Sequence, residues 1–137
     1  MLVEELSRKA VPVRSAEVDA LLEERAHPLA ATITAIRAAL LGVPSVIESV
    51  KWNAPNYALA DDFATMSLRR DGAVQLILHT GAKVKPDHPD IVLAPFPASA
   101  RRADRNRVVV TYATASLTED ERSELDATLR SWTTQLA

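Results

Sequence analysis

Apolar residues recur along this chain with two different periods, and each change of period marks a change of element. Ser15 reads as an N-cap, after which Val18, Leu21 and Leu22 fall on one helical face and Glu17, Glu23 and Glu24 on the other. Pro28 suits the first turn of a second helix, in which Leu29, Ile33, Ile36 and Leu40 follow at spacings of four, three and four. Gly42 and Pro44 stop that helix, and Pro44 can open one further short turn. From Val50 the period becomes two. Val50 and Trp52 alternate with Lys51 as in a half-buried strand, and Asn53-Ala54-Pro55-Asn56 is turn chemistry. Tyr57-Ala58-Leu59 makes a short strand and Asp61-Asp62 a turn. Residues 63–70 and 73–80 are the two clearest strands, and residues 107–114 the last. The helical period then returns: Thr118 and Glu121 form a capping box, and Leu125, Leu129, Trp132 and Leu136 repeat the stripe of the second helix.

The hairpin of residues 63–80 has two possible registers, and side-chain sorting chooses between them. A two-residue turn at Asp71-Gly72 would set Leu68 against Gln75 and Ser67 against Leu76, mixing polar and apolar groups on both faces. A three-residue loop with Gly72 at positive φ pairs Arg69 with Ala73 instead. Ala64, Met66 and Leu68 then share a face with Val74, Leu76 and Leu78. The other face carries Phe63, Thr65, Ser67, Gln75, Ile77 and His79, with Phe63 across from His79.

Two helices, a run of strands joined by short turns, and a final helix predict an α+β fold. It is a two-layer sandwich, an antiparallel β-meander with N-terminal and C-terminal helices packed on one face and the other face partly open. Residues 1–14 read as a lead-in and residues 15–137 as a single domain. Residues 81–106, with Pro86, Pro89, Pro95 and Pro97, form a long connection of the kind that is often functional. Asp104-Arg105 is a candidate buried ion pair to anchor it, and Arg101, Arg102, Arg105 and Arg107 are a candidate phosphate-contacting cluster.

Composition narrows the function classes. The chain has no cysteine, which removes disulfides, thiolate metal sites and cysteine nucleophiles. Its apolar runs are far shorter than a membrane span, and the opening M-L-V-E-E-L lacks the positive charge of a signal peptide, so a cytoplasmic location and no membrane partner are expected. Residues 51–107 hold nine basic and six acidic residues. That excess is too small for a nucleic-acid binder, and it suits a site for a small anion. With only three glycines there is no phosphate loop, dinucleotide fingerprint or nucleophile elbow.

Several stretches together resemble the YdhG-like family of bacterial proteins: V-I-E-S-V-K-W-N-A-P-N-Y, D-F-A-T-M-S-L-R, Q-L-I-L-H-T-G-A-K-V and R-A-D-R-N-R-V-V-V-T-Y. The most specific of them is K-W-x-x-P at Lys51, Trp52 and Pro55. The family is catalogued largely as a domain of unknown function. The resemblance implies a two-layer fold likened to that of frataxins, and some members carry an iron-chaperone label. Iron-labelled members follow the second hairpin strand with an I-G-L-Y-P-like segment, where this chain reads L-H-T-G-A-K-V-K-P.

The leading expectation is non-enzymatic binding of a small anionic or aromatic molecule on the open sheet face, with no cofactor. Trp52, Phe63, His79 and Lys83 are its candidate residues. Trp52 is expected mostly buried beside a pocket shared with Phe63 and His79, apolar walls with one titratable group being the usual make-up of a small-molecule site. Lys83 can close over it because Gly81 frees its loop. Lys51, alternating away from Trp52, reads as a solvated lysine. Three alternatives stand beside this. An iron chaperone would use Glu17, Glu23 and Glu24 on the first helix, with oxygen ligands only. An enzyme would use His79 as acid or base. A dimerisation or adaptor module, with a homodimer as its simplest form, would use Phe63 and Ile77.

Overall fold

The computed structural model describes residues 13–81, 83 and 85–136. Among them it forms helices α1 (Ala16–Arg25), α2 (Ala30–Leu41) and α3 (Glu119–Thr134), and strands β1 (Ile47–Lys51), β2 (Ala54–Ala58), β3 (Asp62–Ser67), β4 (Val74–Leu78), β5 (Ala100–Asp104) and β6 (Arg107–Tyr112). The strands make one antiparallel sheet in the order β1-β2-β3-β4-β6-β5, an α+β fold with helices at both ends of the chain. The first twelve residues of the expected lead-in lie outside the described residues. Val13 forms a bridge with Ile47 at the β1 edge.

The caps expected for α1 and α3 hold, whereas Pro28 precedes Leu29, the N-cap of α2, and does not lie in its first turn. Ser15 caps α1 by accepting from the Val18 amide, and Thr118 and Glu121 form the capping box of α3. Ile33, Ile36 and Leu40 of α2 share one apolar core with Leu125, Leu129 and Trp132 of α3. The sheet contributes Tyr57, Ala64, Met66, Leu76, Leu78 and Val108 to the same core. The hairpin register is the sorted one, with Ser67 opposite Gln75 and Ala64 opposite Leu78.

Four local expectations are corrected. Pro44 opens no helical turn; β1 begins at Ile47 instead. Gly72 is not at positive φ, so the loop between β3 and β4 reaches its register without a left-handed bulge residue. The long connection contains a strand, β5, whose A-R-R-A-D sequence lacks apolar alternation because it is an exposed sheet edge. Its anchor is also different: Arg105 is exposed, pairs with Asp90 and donates to the His88 carbonyl at 2.6 Å. Asp104 approaches Arg107, at 4.0 Å, and not Arg105. Arg102 donates to the Ile91 carbonyl at 2.8 Å and lies over the Phe96 ring, so it too holds this connection down.

A buried polar cluster ties the two N-terminal helices to the sheet. Glu48 on β1 receives Arg37 of α2 through Nε at 2.8 Å and Nη2 at 2.6 Å, the Tyr57 hydroxyl at 2.7 Å and the Ser15 amide at 3.0 Å. Arg37 also reaches Asp19 of α1 at 2.6 Å. Each donor meets an acceptor, which is the condition for a buried charge pair to be tolerated. Hydrogen bonds from its partners hold the Glu48 carboxyl below the usual range against the opposing effect of burial, while burial pushes the Tyr57 hydroxyl up.

Candidate functional site

Helices α2 and α3 share their core with Tyr57, Ala64, Met66, Leu76, Leu78 and Val108, which the register sets on one sheet face, while α1 borders the concavity over the other face. A single cross-strand row crosses it: Ser49, Asn56, Thr65, Ile77, Val109 and Arg101, each opposite the next in the ladder. Above this face lies a broad, open concavity of about 1430 Å³. Ile77 and Val109 give it an apolar floor, and Arg101 and Arg107 stand at one end. Trp52, Arg69 and Arg70 stand at the other, where the turn after β1 meets the end of β3, and α1 contributes Leu21, Glu17 and Glu24.

A directional chain of hydrogen bonds runs over this face. The Gly81 amide donates to His79 Nδ1 at 3.2 Å, which leaves the ring proton on Nε2. Nε2 lies 3.1 Å from Thr65 Oγ1, and the Thr65 hydroxyl donates to Asn56 Oδ1 at 3.0 Å. Asn56 Nδ2 donates to Asp62 Oδ1 at 2.8 Å, and Lys51 Nζ caps both Asp62 oxygens at 3.0 and 2.9 Å. Burial depresses the His79 pKa below the ordinary histidine value. Hydrogen bonds from Lys51 and Asn56 keep the Asp62 carboxyl low although its burial opposes this. The chain therefore holds a neutral imidazole and an ionised carboxylate at its two ends. Lys51 is exposed, as a solvated lysine is expected to be, but its ammonium group is also paired with Asp62.

Of the four predicted ligand residues, the structure places Trp52 and His79 on the concavity, near opposite ends. Trp52 is not mostly buried: it is 62% exposed. Trp52 and Asn53 are the two central residues of the turn that closes the Lys51–Ala54 pair, and both have positive φ, 52° and 56°. That is the backbone of a type I′ hairpin turn, which ordinarily takes Asn-Gly. The turn lifts Trp52 out of strand alternation, so the expected inward direction does not apply. Phe63 does not line the site either. The β2–β3 register shifts at Tyr57/Ala58, leaving Phe63 as the extra residue of a β-bulge, and its side chain turns into the core with 1% exposure. The backbone pairing is as expected, since the His79 amide donates to the Phe63 carbonyl at 2.9 Å. With Phe63 in the core, the surface expected for dimerisation loses half of its apolar pair. Lys83 is exposed and lines a small adjoining cavity of about 30 Å³ with His79, Lys85, Asn106 and Arg107. That space suits a water molecule. The buried Asn106 Oδ1 has no hydrogen-bond partner among the described residues.

Among the described residues, no group of three or more histidine or acidic side chains is arranged to hold a metal ion. Glu17 and Glu24 line the concavity and Glu23 does not. Also among the described residues, no helix is long and apolar enough to cross a membrane. Of the arginine cluster offered as phosphate contacts, Arg101 and Arg107 line this face and Arg102 and Arg105 do not; Arg69 and Arg70 were missed. For Arg101 the signal was present in the basic stretch at the end of the long connection, but not the strand that aims it.

Comparison with known proteins found no match to a family model, to a curated protein or to a solved structure.

Proposed function

We propose that this protein binds a small anionic ligand on the open sheet face and carries out no chemistry on it. The observation that carries this reading is the charge at the β5–β6 end. Arg101 and Arg107 overlook the apolar floor of Ile77 and Val109, and Lys83 lies in the adjoining cavity with Arg107. The one acid there, Asp104, stands 4.0 Å from Arg107, and Arg101 has no ion-pair partner among the described residues. Guanidinium groups over an apolar floor suit a carboxylate or phosphate with a compact apolar body. The non-enzymatic part rests on His79. Both of its ring nitrogens are engaged, by Gly81 and by Thr65, so it presents no free lone pair to a substrate. In this reading His79 is a positioning residue that fixes the start of the Lys83 loop. The resemblance to the YdhG-like family is compatible with such a role, and we carry that membership as part of the proposal.

The test is titration of isotopically labelled protein with inorganic phosphate and with short mono- and dicarboxylates. The amides of Ile77, Val109 and Gly81 should shift saturably. Arg101→Gln combined with Arg107→Gln should weaken binding roughly tenfold or more, the loss expected for charge-assisted hydrogen bonds. Shifts that survive the double substitution unchanged, or no saturable shift with any of these anions, would reject the reading.

A further inference from the structure

The opposite end of the concavity presents a different combination. Trp52 is an exposed, bulky residue held in a left-handed backbone conformation that glycine or asparagine occupies far more readily. A strained residue persists when the surrounding structure imposes it, and such outliers concentrate at binding sites. Here the hairpin imposes it: the Lys51–Ala54 pair leaves only Trp52 and Asn53 to make the turn. The ladder then fixes the neighbours. Asn56 lies opposite Thr65, so continuing the β2–β3 register sets Ala54 level with Ser67 and brings the turn beside the start of the Leu68–Ala73 loop. Arg69 and Arg70, the next residues of that loop, line the same concavity as Trp52 and have no ion-pair partner among the described residues. Arg25 is by contrast fixed in place by the Leu68 carbonyl at 2.9 Å and by Asp71 at 2.8 Å. Leu21 and Val50 add apolar surface.

We propose that Trp52, Arg69 and Arg70 form a second binding site, for a flat aromatic ring bearing one anionic group. The ring lies on the indole, and a carboxylate or phosphate is received by the guanidinium forks. Glu17 and Glu24 on the α1 wall limit the positive charge of this corner, which favours a single anionic group over a polyanion. The site is distinct from the Arg101–Arg107 end and does not depend on it.

The test follows the two indole N–H resonances during titration with naphthalene-2-carboxylate and, separately, 2-naphthyl phosphate, the two arms distinguishing the acid from the phosphate. Cyclohexanecarboxylate and 2-naphthalenemethanol serve as the non-planar anion and the neutral ring. The Trp52 resonance should shift with one or both aryl anions and the Trp132 resonance should not. The two control compounds should bind roughly tenfold more weakly or worse, as should the aryl anions to Trp52→Asn and to Arg69→Gln combined with Arg70→Gln. Asparagine suits the turn, so Trp52→Asn keeps the hairpin, and the unchanged Trp132 resonance reports an intact core. Arg101→Gln with Arg107→Gln should leave this binding unaltered. Equal binding of cyclohexanecarboxylate, undiminished binding to Trp52→Asn, or no shift at Trp52 overturns the proposal. Loss only in the Arg101 and Arg107 double variant also overturns it, while supporting the anion end of the face.

Discussion

The two tryptophans of this chain occupy opposite kinds of place. Trp132 is fully buried on α3 within the common core, and its Nε1–H donates to the His79 carbonyl at 3.1 Å. Trp52 is mostly exposed at a hairpin tip, on a backbone conformation that disfavours it. The first is explained by stability: a large aromatic surface is removed from water and its polar atom is satisfied. The second is not. A tryptophan in solvent at positive φ is a worse choice for folding than several smaller residues, and that contrast directs attention to function at the hairpin tip. His79 links the two regions, because its carbonyl receives Trp132 on the core side while its ring opens the hydrogen-bond chain on the open side.

The contrast can be broken at either end. Trp132→Ala should destabilise the protein by about 4 kcal/mol, as truncation of a buried aromatic does, read from denaturant midpoints. A loss below about 1 kcal/mol would mean that α3 is loosely docked. Arg37→Met should cost about 3 kcal/mol, because it leaves Glu48 as a charge buried without its main partner. Adding Glu48→Gln should recover part of that loss, and the double variant measured in the same way checks it.

The histidine chain gives a pH signature. Burial depresses the His79 pKa in the folded state below the ordinary value of 6.5. Its contribution to stability is therefore complete above that value and is lost as pH falls toward the folded-state value. Protonation would also place a second N–H against the Gly81 amide that now donates to Nδ1. The loss of stability between about pH 7.5 and about pH 5.5 should be smaller in His79→Gln than in the wild-type chain. Equal losses would show that His79 does not contribute to the acid sensitivity. Smallest of all, Gly72→Ala should be neutral or stabilise by roughly 0.5 kcal/mol, since its added methyl meets nothing within 4 Å and its φ is not left-handed. A clear loss would restore the left-handed bulge first read from the sequence.

The helices, their caps and the β3–β4 register were legible because each rests on a period that only one arrangement satisfies. Met66 and Leu68 sort with Leu76 and Leu78 in one register and in no other. Residues of the open face were harder to place, because their positions depend on local departures from period. Strand alternation aims Trp52 inward, two positive φ angles turn it out, and the sequence Trp-Asn does not announce a type I′ turn. Phe63 looked outward by parity until a bulge reversed it. Lys51 meets Asp62 across β2, a pairing that a spacing of eleven residues does not reveal. β5 carries arginine where a buried strand would carry valine, so it read as part of a loop. His79 was singled out correctly as a residue of this face. The partners that hold both of its nitrogens came from a threonine on the neighbouring strand and a glycine two residues on.

The most direct test of the account is the unfolding free energy of Trp52→Asn. If Trp52 is kept at the hairpin tip for binding, relief of its left-handed strain should make the variant more stable than the wild-type chain, by about 1 kcal/mol. A variant less stable by 1 kcal/mol or more would show that the exposed indole supports the fold, and would contradict the contrast between the two tryptophans.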